Sequence, residues 1–537
     1  METIIKMIEE DSWDKALELF PHIYENKALD ETGFIIGASL MEHYRQWDTM
    51  FELIRNGLEQ YPSNYELYIL LGNYYMIDNP AQAYISYENA LYHCINSSEP
   101  HSEDITAITQ LLNSCKENNT IKVNNVSFVI LSYNTLDYTR SCIESIRQTC
   151  YSECLEIIII DNASTDGSLE WLRDQKDIIL IENKVNLGFP AGCNQGIKAA
   201  CSENDIFLLN SDTIMLAQSL FWLRIGLYSN DNIGAVGAGT DQAGNNQIID
   251  KQFNSLNELI TFCSKLNSPS LHPYELKAYL VMFALLIRRD ALNKTGLLDE
   301  RFSPGNYEDN DYGLRLMKNG YISILCHNSY IHHFRSKSFG KKLDDYQNLI
   351  RINHEKFKDK WGFYDDHYTH ARNDIISMLD MNSDEEISIL EVGCGLGETL
   401  AKILYLFPNA KVQGIETSEK IASIGNQRLD IKYGTIETIA PDNSKYSCII
   451  LSDVLDHLIH PEEVLIRLKN SLIKQGFVIA GFNNLLTSSG NNPNYFSLDK
   501  IKYLFANSGY RITQIATVTY ASDSTEFGYI IKASPVL

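Results

Sequence analysis

The chain has 537 residues, 44% apolar and 21% charged, a globular composition too long for one core, so about three domains are expected. Its 69 acidic and 45 basic residues leave a formal net charge of −24, which repels phosphate backbones and argues against a nucleic-acid partner. Eleven scattered Cys with no CxxC pair indicate reduced thiols and a cytoplasmic setting; the acidic N-terminus reads as no signal peptide, and the apolar runs are too short for an integral membrane segment.

Residues 1–120 keep a 3.6-residue apolar period with almost no strand signal, and are expected to be helical. Gly37 and Gly72 each follow large apolar residues. In "LYILLGNYYMIDNPAQAYISYENALYHC", small residues at Gly72 and Ala83 would let two antiparallel helices approach, with Tyr68, Tyr75 and Tyr87 filling the gaps. Pro62 closes the unit before. The segment resembles a tetratricopeptide repeat, whose period is ~34 residues; a plain helical bundle is the alternative. Helical repeats make concave surfaces, so the resemblance implies docking of a protein acceptor.

At Val126 the texture changes. "VSFVILSYN", "LEIIIIDNASTDGS", "DIILIENKVNLG" and "NDIFLLNSDT" are short β-rich runs, each followed by Asn, Asp, Ser or Gly, with helical stretches between. Such alternation predicts a parallel α/β sheet with ligands at the carboxyl ends of its strands. The polar residues stand there: Ser132, Tyr133 and Asn134, then Asp161 and Asn162, then Asn210 and Asp212. A polar junction around 364–385 separates this segment from a second α/β alternation beginning at "ISILEVGCGLG".

The motifs of residues 125–363 resemble those of family 2 inverting glycosyltransferases of GT-A fold. "VILSYN" is similar to the family's opening strand and donor loop, "IIIIDNASTDGS" to the strand whose acid meets the nucleotide base (Asp161), and "NLGFPAGCNQGIKAA" to its Asn-Gly segment, giving Asn186, Gly188 and Asn194. "LLNSDT" stands at the metal motif, with Asp212 its last acid and Asn210 where an Asp is often found. "NYEDNDYGLRL" resembles the acceptor-side motif, which puts Asp309 in the position of the catalytic base, with Glu308 and Asp311 holding the loop or acceptor. "YIHHFRSKSFG" resembles the closing segment whose His binds the metal; His333 fits that spacing best and His332 is the alternative.

That chemistry suits these residue types. A sugar hydroxyl or protein side chain is a poor nucleophile, and a carboxylate beside it takes its proton. The leaving diphosphate is doubly anionic, so the resemblance implies Mn²⁺ or Mg²⁺ on Asp212 and His333. Arg335 and Lys337 would add charge-assisted contacts to the same phosphates.

Beyond residue 366, "ISILEVGCGLGETLAKI" reads as strand, glycine turn and helix, with a GxGxG pattern at Gly393, Gly395 and Gly397. Glu416 ends the next strand, where it can bind two ribose hydroxyls. Together with "YSCIILSDVLDHLIHPEEVLIRLKNSLIKQGFVIAGFNN", residues 366–537 resemble the Rossmann-like class I methyltransferases, which implies S-adenosylmethionine bound by Glu391, the three glycines, Glu416 and Asp453. Three departures are visible: "KQG" replaces a Pro-Gly-Gly turn, Ser447 stands where Asp is usual, and Thr435 replaces the acid near the adenine edge. His457 is either the base that deprotonates a methyl acceptor or a histidine packed against the sheet.

The expectation is thus a multidomain enzyme: a helical region (1–120), a glycosyltransferase domain (125–363) and a methyltransferase domain (366–537). It would take a nucleotide sugar, UDP-N-acetylglucosamine first, and methylate the attached glycan or its neighbour. Among multidomain relatives the resemblance points to bacterial flagellin glycosyltransferases and hence to a flagellin-like protein acceptor. The alternatives are surface-polysaccharide assembly and a binding scaffold without catalysis. The sequence leaves homo-oligomer formation open.

Overall fold

The computed structural model describes the chain except residues 1, 25–27, 99, 118–120, 152–154, 242, 246, 250–252, 254, 335–342, 366–367, 484–495, 520–526 and 537. It divides into two compact units. The first comprises Met1–Tyr274, Leu280–Tyr312 and Ser323–Ile350; the second comprises Glu275–Tyr279, Gly313–Ile322 and Arg351–Leu537.

The first unit opens with helices α1 (Glu2–Glu9), α2 (Trp13–Tyr24), α3 (Glu31–His43), α4 (Trp47–Gln60), α5 (Tyr65–Tyr75), α6 (Pro80–Ile95) and α7 (Ser102–Glu117). The starts of α3, α5 and α6 are set by side-chain caps: Asp30, Asn64 and Asn79 accept from the backbone N–H three residues on. The close approach expected at Gly72 is present, since a Cβ there would lie 2.3 Å from the Tyr87 ring. The region is helical; its resemblance to a specific repeat family goes no further than these contacts.

Alternating elements follow along the chain, of which most of β7 and the C-terminal parts of α14 and α15 belong to the second unit: β1 (Val126–Ser132), α8 (Leu136–Thr149), β2 (Leu155–Asp161), α9 (Ser168–Arg173), β3 (Ile179–Glu182), α10 (Phe189–Ala199), β4 (Asp205–Asn210), β5 (Thr213–Ile214), α11 (Ser219–Leu227), β6 (Ile233–Gly239), α12 (Leu256–Leu266), β7 (Tyr274–Lys277), β8 (Ala284–Ile287), α13 (Arg289–Thr295), α14 (Glu308–Lys318), β9 (Ile322–Tyr330), β10 (His332–His333) and α15 (Leu343–Trp361). Strands β3-β2-β1-β4-β8-β6-β9 lie side by side in that order. β1 is parallel to both β2 and β4, and β8 is antiparallel to β4. β1 is buried along almost its whole length, as expected of a strand covered on both faces.

The helical region is built into this unit. Glu88 on α6 forms an ion pair with Arg224 on α11, their side chains 9% and 8% exposed. Gln82 donates to the Ile225 carbonyl at 2.9 Å and Asn79 to that of Tyr228 at 2.9 Å. Tyr68 meets Phe221 edge-on at 5.3 Å.

The second unit contains α16 (Asn373–Ile376), β11 (Ser388–Val392), α17 (Glu398–Leu406), β12 (Lys411–Glu416), α18 (Glu419–Gly425), β13 (Ile431–Tyr433), β14 (Tyr446–Leu451), α19 (Pro461–Leu468), β15 (Leu472–Asn483), α20 (Leu498–Asn507), β16 (Tyr510–Thr519) and β17 (Phe527–Pro535). Its seven strands run β13-β12-β11-β14-β15-β17-β16, parallel except for β17, which is antiparallel to both neighbours. Successive side chains of a strand face opposite ways, so β11 and β14 feed two cores. Leu390, Val392, Ile449 and Leu451 join one, and Ile389, Cys448 and Ile450 the other. No described helix is long and apolar enough to cross a membrane.

Candidate functional sites

In the first unit the sheet register brings three of the expected residues into one row. Ser132 at the end of β1 pairs with Asp161 at the end of β2, and Leu131 pairs with Asn210 at the end of β4. Asp161 is fully buried: its Oδ2 accepts from the Ser164 N–H at 3.0 Å, while its Oδ1 has no hydrogen-bond partner. A buried acceptor left over at the end of a parallel strand suits a ligand N–H. Ser132 Oγ is 3.0 Å from Thr139 Oγ1, Tyr133 is half-buried, and Asn134, with φ +52°, accepts from the Thr165 N–H at 2.7 Å.

The Asn-Gly segment proves to be bonded largely to itself. Asn162 donates to Asn186 Oδ1 at 2.9 Å, and the same oxygen accepts from the Gly188 N–H at 2.8 Å. Gly188 has φ +82°, and a Cβ there would come within 2.7 Å of Pro304, so the position requires glycine. Asn194 is buried with its carbonyl on the Leu298 N–H and its amide on the Leu298 carbonyl and Glu300. Its hydrogen-bonding atoms are thereby used to brace the loop leading to α14.

Asp212 and His333 come together across the small β5–β10 pairing: His333 Nε2 is 3.2 Å from Asp212 Oδ1 and 3.4 Å from Asn210 Nδ2, and both residues are buried. The Phe283 ring stacks on His333 at 5.1 Å. His332 turns the other way, to Asp241 at 3.3 Å. A carboxylate and an imidazole at this distance fit two ligands of a divalent cation. Among the described residues no group of three or more His, Cys, Asp or Glu gathers around one such point. Arg335 and Lys337 lie outside the described residues.

The carboxylate cluster sits at the start of α14, after Asn306 and Tyr307, which have φ +74° and +73°. Such left-handed non-glycine residues cost about 1–3 kcal/mol each and concentrate at functional loops. Glu308 is buried, and burial, with the charge of Asp309 adding to it, pushes its carboxyl well above the usual range. Asp311 is fully buried, whereas Asp309 is half-buried and accepts from the Asn310 N–H at 2.9 Å. Asp309 is thus the most open carboxylate of the three.

In the second unit the glycine turn between β11 and α17 holds Gly393, Gly395 and Gly397 at φ +74°, +56° and +87°. Glu416 spans the turn: its Oε2 accepts from the Gly395 N–H at 3.0 Å and its Oε1 from the Ser418 N–H at 2.8 Å. Glu391 is buried, accepting from Ser452 Oγ at 2.8 Å, while its Oε2 has no partner. Burial pushes its carboxyl up to about 8, with Ser452 and Arg372 opposing. Thr435 is engaged in a short turn with Thr438, 3.1 Å between hydroxyls.

Asp453 follows β14 with φ +51°, a conformation that costs an ordinary residue about 1–2 kcal/mol. It is ion-paired to Arg372, while its Oδ1 is buried without a partner. Two partnerless carboxylate oxygens beside a glycine turn fit a cationic ligand group such as the amino-acid end of S-adenosylmethionine. His457 is 57% exposed, with Nε2 3.9 Å from Asp456, so it is not packed against the sheet as one reading of the sequence had it. Burial pushes Asp456 up to about 6, with His457 opposing.

Sequence reasoning missed Arg372 and Tyr368. Both precede β11, and no motif spacing ties them to the glycine turn. Yet a Cβ on Gly395 would lie 3.0 Å from the Tyr368 ring and 3.2 Å from its Cα.

Comparison with known proteins agrees with this division. Residues 127–247 match the glycosyl transferase family 2 profile, and residues 364–515 match a methyltransferase domain profile. The chain is 35% identical over 114 residues to a poly(ribitol-phosphate) beta-glucosyltransferase of Bacillus spizizenii, covering 20% of this chain and 18% of that protein. It is 33% identical over 116 residues to a malonyl-[acyl-carrier protein] O-methyltransferase of Bacillus cytotoxicus, covering 21% and 39%. An uncharacterized glycosyltransferase of Bacillus subtilis, YfnE, is 25% identical over 285 residues, covering 44% and 70%. The chain therefore spans less than half the length of the first two relatives. It carries a glycosyltransferase domain and a methyltransferase domain.

Proposed function

We propose that this protein is a two-site transferase that moves a sugar from a nucleotide-sugar donor, a UDP-sugar first, to an acceptor and then O-methylates the attached glycan with S-adenosylmethionine. The observation that carries the first half is the row at the sheet's carboxyl edge: Asp161 on β2, with one buried oxygen left for a base N–H, and, across β1, the end of β4, which leads to Asp212 facing His333. Asp309 takes the proton of the acceptor hydroxyl as its oxygen attacks the anomeric carbon, and the bond to the diphosphate breaks with inversion. General-base help of this kind contributes ~10²–10⁴-fold. Mn²⁺ or Mg²⁺, held by Asp212 and His333, would offset charge on the departing diphosphate.

In the second unit the partnerless oxygens of Glu391 and Asp453 support cofactor binding. The cofactor supplies an electrophilic methyl group. The exposed His457, with Asp456 3.9 Å from its Nε2, would hold the proton released by an acceptor hydroxyl.

For the acceptor, the first reading is a protein such as flagellin, presented by the helical region in a tetratricopeptide-like manner. The second is a surface polymer, favoured by the relative named for poly(ribitol-phosphate). Incubation with a nucleotide-sugar panel, with and without S-adenosylmethionine and EDTA, followed by intact mass measurement of each acceptor, tests the whole scheme. The expected increments are one sugar, then one sugar plus one methyl, both lost in EDTA because the methyl acceptor never forms. A methylated acceptor without sugar would overturn the order.

A further inference from the structure

The glycine turn of the second unit is fastened to a stretch of chain far upstream, and the proposed chemistry makes no use of that attachment. Glu275–Tyr279 and Gly313–Ile322 belong to the second unit, although both lie inside the stretch whose motifs resemble a glycosyltransferase. The Ala278 N–H, 120 positions before its partner, donates to Glu398 Oε1 at 2.6 Å. Glu398 opens α17 directly after Gly397. Four residues on, along the same face of that helix, Lys402 donates to Glu275 Oε2 at 2.8 Å. The other Glu275 oxygen meets Lys277 Nζ at 2.8 Å, and both of these side chains are buried. The upstream segment thus holds α17 at two successive turns.

Glu398 passes this hold to the glycine turn. Its Oε1 also accepts from Arg428 Nη2 at 2.5 Å, and the same Nη2 donates to the Leu396 carbonyl, between Gly395 and Gly397, at 2.8 Å. The side chains of Arg428 and Glu398 are buried, and Arg428 Nε and Nη1 have no hydrogen-bond partner. The guanidinium is therefore anchored through Nη2, and a shift of the carboxylate would draw it off the Leu396 carbonyl. The Leu396 N–H faces the Tyr368 carbonyl at 3.4 Å, so this part of the turn is gripped from two sides. The segment is backed as closely from behind. A Cβ on Gly313, in α14, would stand 2.4 Å from the Ala278 carbonyl oxygen and 2.6 Å from Tyr279 Cβ. Only glycine allows two backbones to approach so closely.

We infer that Glu275–Tyr279 is a positioning element for the cofactor turn, acting through Ala278, Glu398 and Arg428 on the Leu396 peptide. This rests on the cofactor reading of the second unit. A buried carboxylate that serves two donors at once is fixed in place, so the turn is shaped before any ligand arrives and little ordering is left for the binding step. Residues 366–537 lack both Ala278 and Gly313, and the cofactor site is complete only in the longer chain.

The test uses the full chain, with S-adenosylhomocysteine as the probe in titration calorimetry and a melting scan of each variant. Gly313→Ala changes no charge and touches no residue of the turn, yet it displaces the Ala278 peptide. It should weaken the probe by about 10-fold or more. Glu398→Ala should weaken it by roughly 10- to 100-fold. Glu398→Gln keeps an oxygen for both donors and should recover most of that loss. Ile501→Ala opens the buried core under α20 and serves as the comparison: it should lower the melting temperature and leave affinity within about twofold. Should Gly313→Ala fail to fold, the contrast between Glu398→Ala and Glu398→Gln carries the same decision. A folded Gly313→Ala that binds like the parent would overturn the inference. So would an Ile501→Ala that loses as much affinity, since the effect would then be general softening of the unit. If the unaltered chain does not bind the probe, the cofactor reading itself falls, and this inference with it.

Discussion

Replacing Glu88 by Ala tests whether the helical region is a component of the first unit or an accessory attached to it. Glu88 and Arg224 are both more than nine-tenths buried, so the substitution leaves a guanidinium in a poorly hydrated place with its facing carboxylate removed. Breaking a buried pair from one side costs about 3–5 kcal/mol. At about 2.1 cal/mol/K per residue, a unit of about 335 residues shifts by roughly 1.4 °C per kcal/mol, so even the lower figure moves the melting transition by about 4 °C. Calorimetry resolves this when the transition of the first unit is followed separately. Two comparisons make the number interpretable. Arg147→Ala breaks a pair with Asp177 whose partners are 31% and 53% exposed, and should cost less than about 1 kcal/mol. Replacing both Glu88 and Arg224 by Met should restore most of the loss, since two apolar side chains leave no stranded charge. A Glu88→Ala protein that melts within a degree or two of the parent would refute the reasoning and return residues 1–120 to the status of a separable module.

Three further outcomes are expected. Asp309→Asn should abolish sugar transfer in single-turnover assays while calorimetry finds donor affinity nearly intact; normal transfer would remove the base assignment. Gly395→Asp should eliminate S-adenosylhomocysteine binding by calorimetry without lowering sugar transfer, because the residue needs φ +56° and abuts Tyr368. Glu391, raised from its ordinary 4.5 to about 8, favours the folded state while protonated, so its contribution is complete below 4.5 and is lost as pH rises through about 8. The second unit should therefore lose stability from pH 6 to 8, above the window of Asp456, by at most about 1.4 kcal/mol per pH unit from this group. Urea melts of Glu391→Gln should show a flatter dependence, and an unchanged slope would place the titration elsewhere.

Strands β1 to β4 could be read from the sequence because β-rich runs ending in Asn, Asp or Ser announce both the element and the edge where its ligands gather, whereas the strand order and the antiparallel β8 could not. Ser132, Asp161 and Asn210 were legible for that reason. The glycine turn was legible too, since positive φ demands the residue type. What could not be read were side chains whose partners lie far along the chain. Asn194 looked like a ligand contact, but its bonds to Leu298 and Glu300 exist only once the loop before α14 packs against α10. Arg372 sits in an undistinguished polar stretch, and its meaning comes from Asp453, 81 positions later. Glu88 likewise reads as one acid among many on α6 until α11 supplies Arg224.

The row formed at the ends of β1, β2 and β4 also says where this chain can change length. A single residue deleted inside β1 would invert every side chain beyond it and draw Ser132 back by about 3.3 Å from Asp161. One added to the loop after Asp161 would displace neither. Insertions and deletions accumulating among natural variants of this domain should therefore spare the strand interiors and crowd into the connections after them, so that new substrates are acquired by lengthening loops around an edge whose frame does not shift.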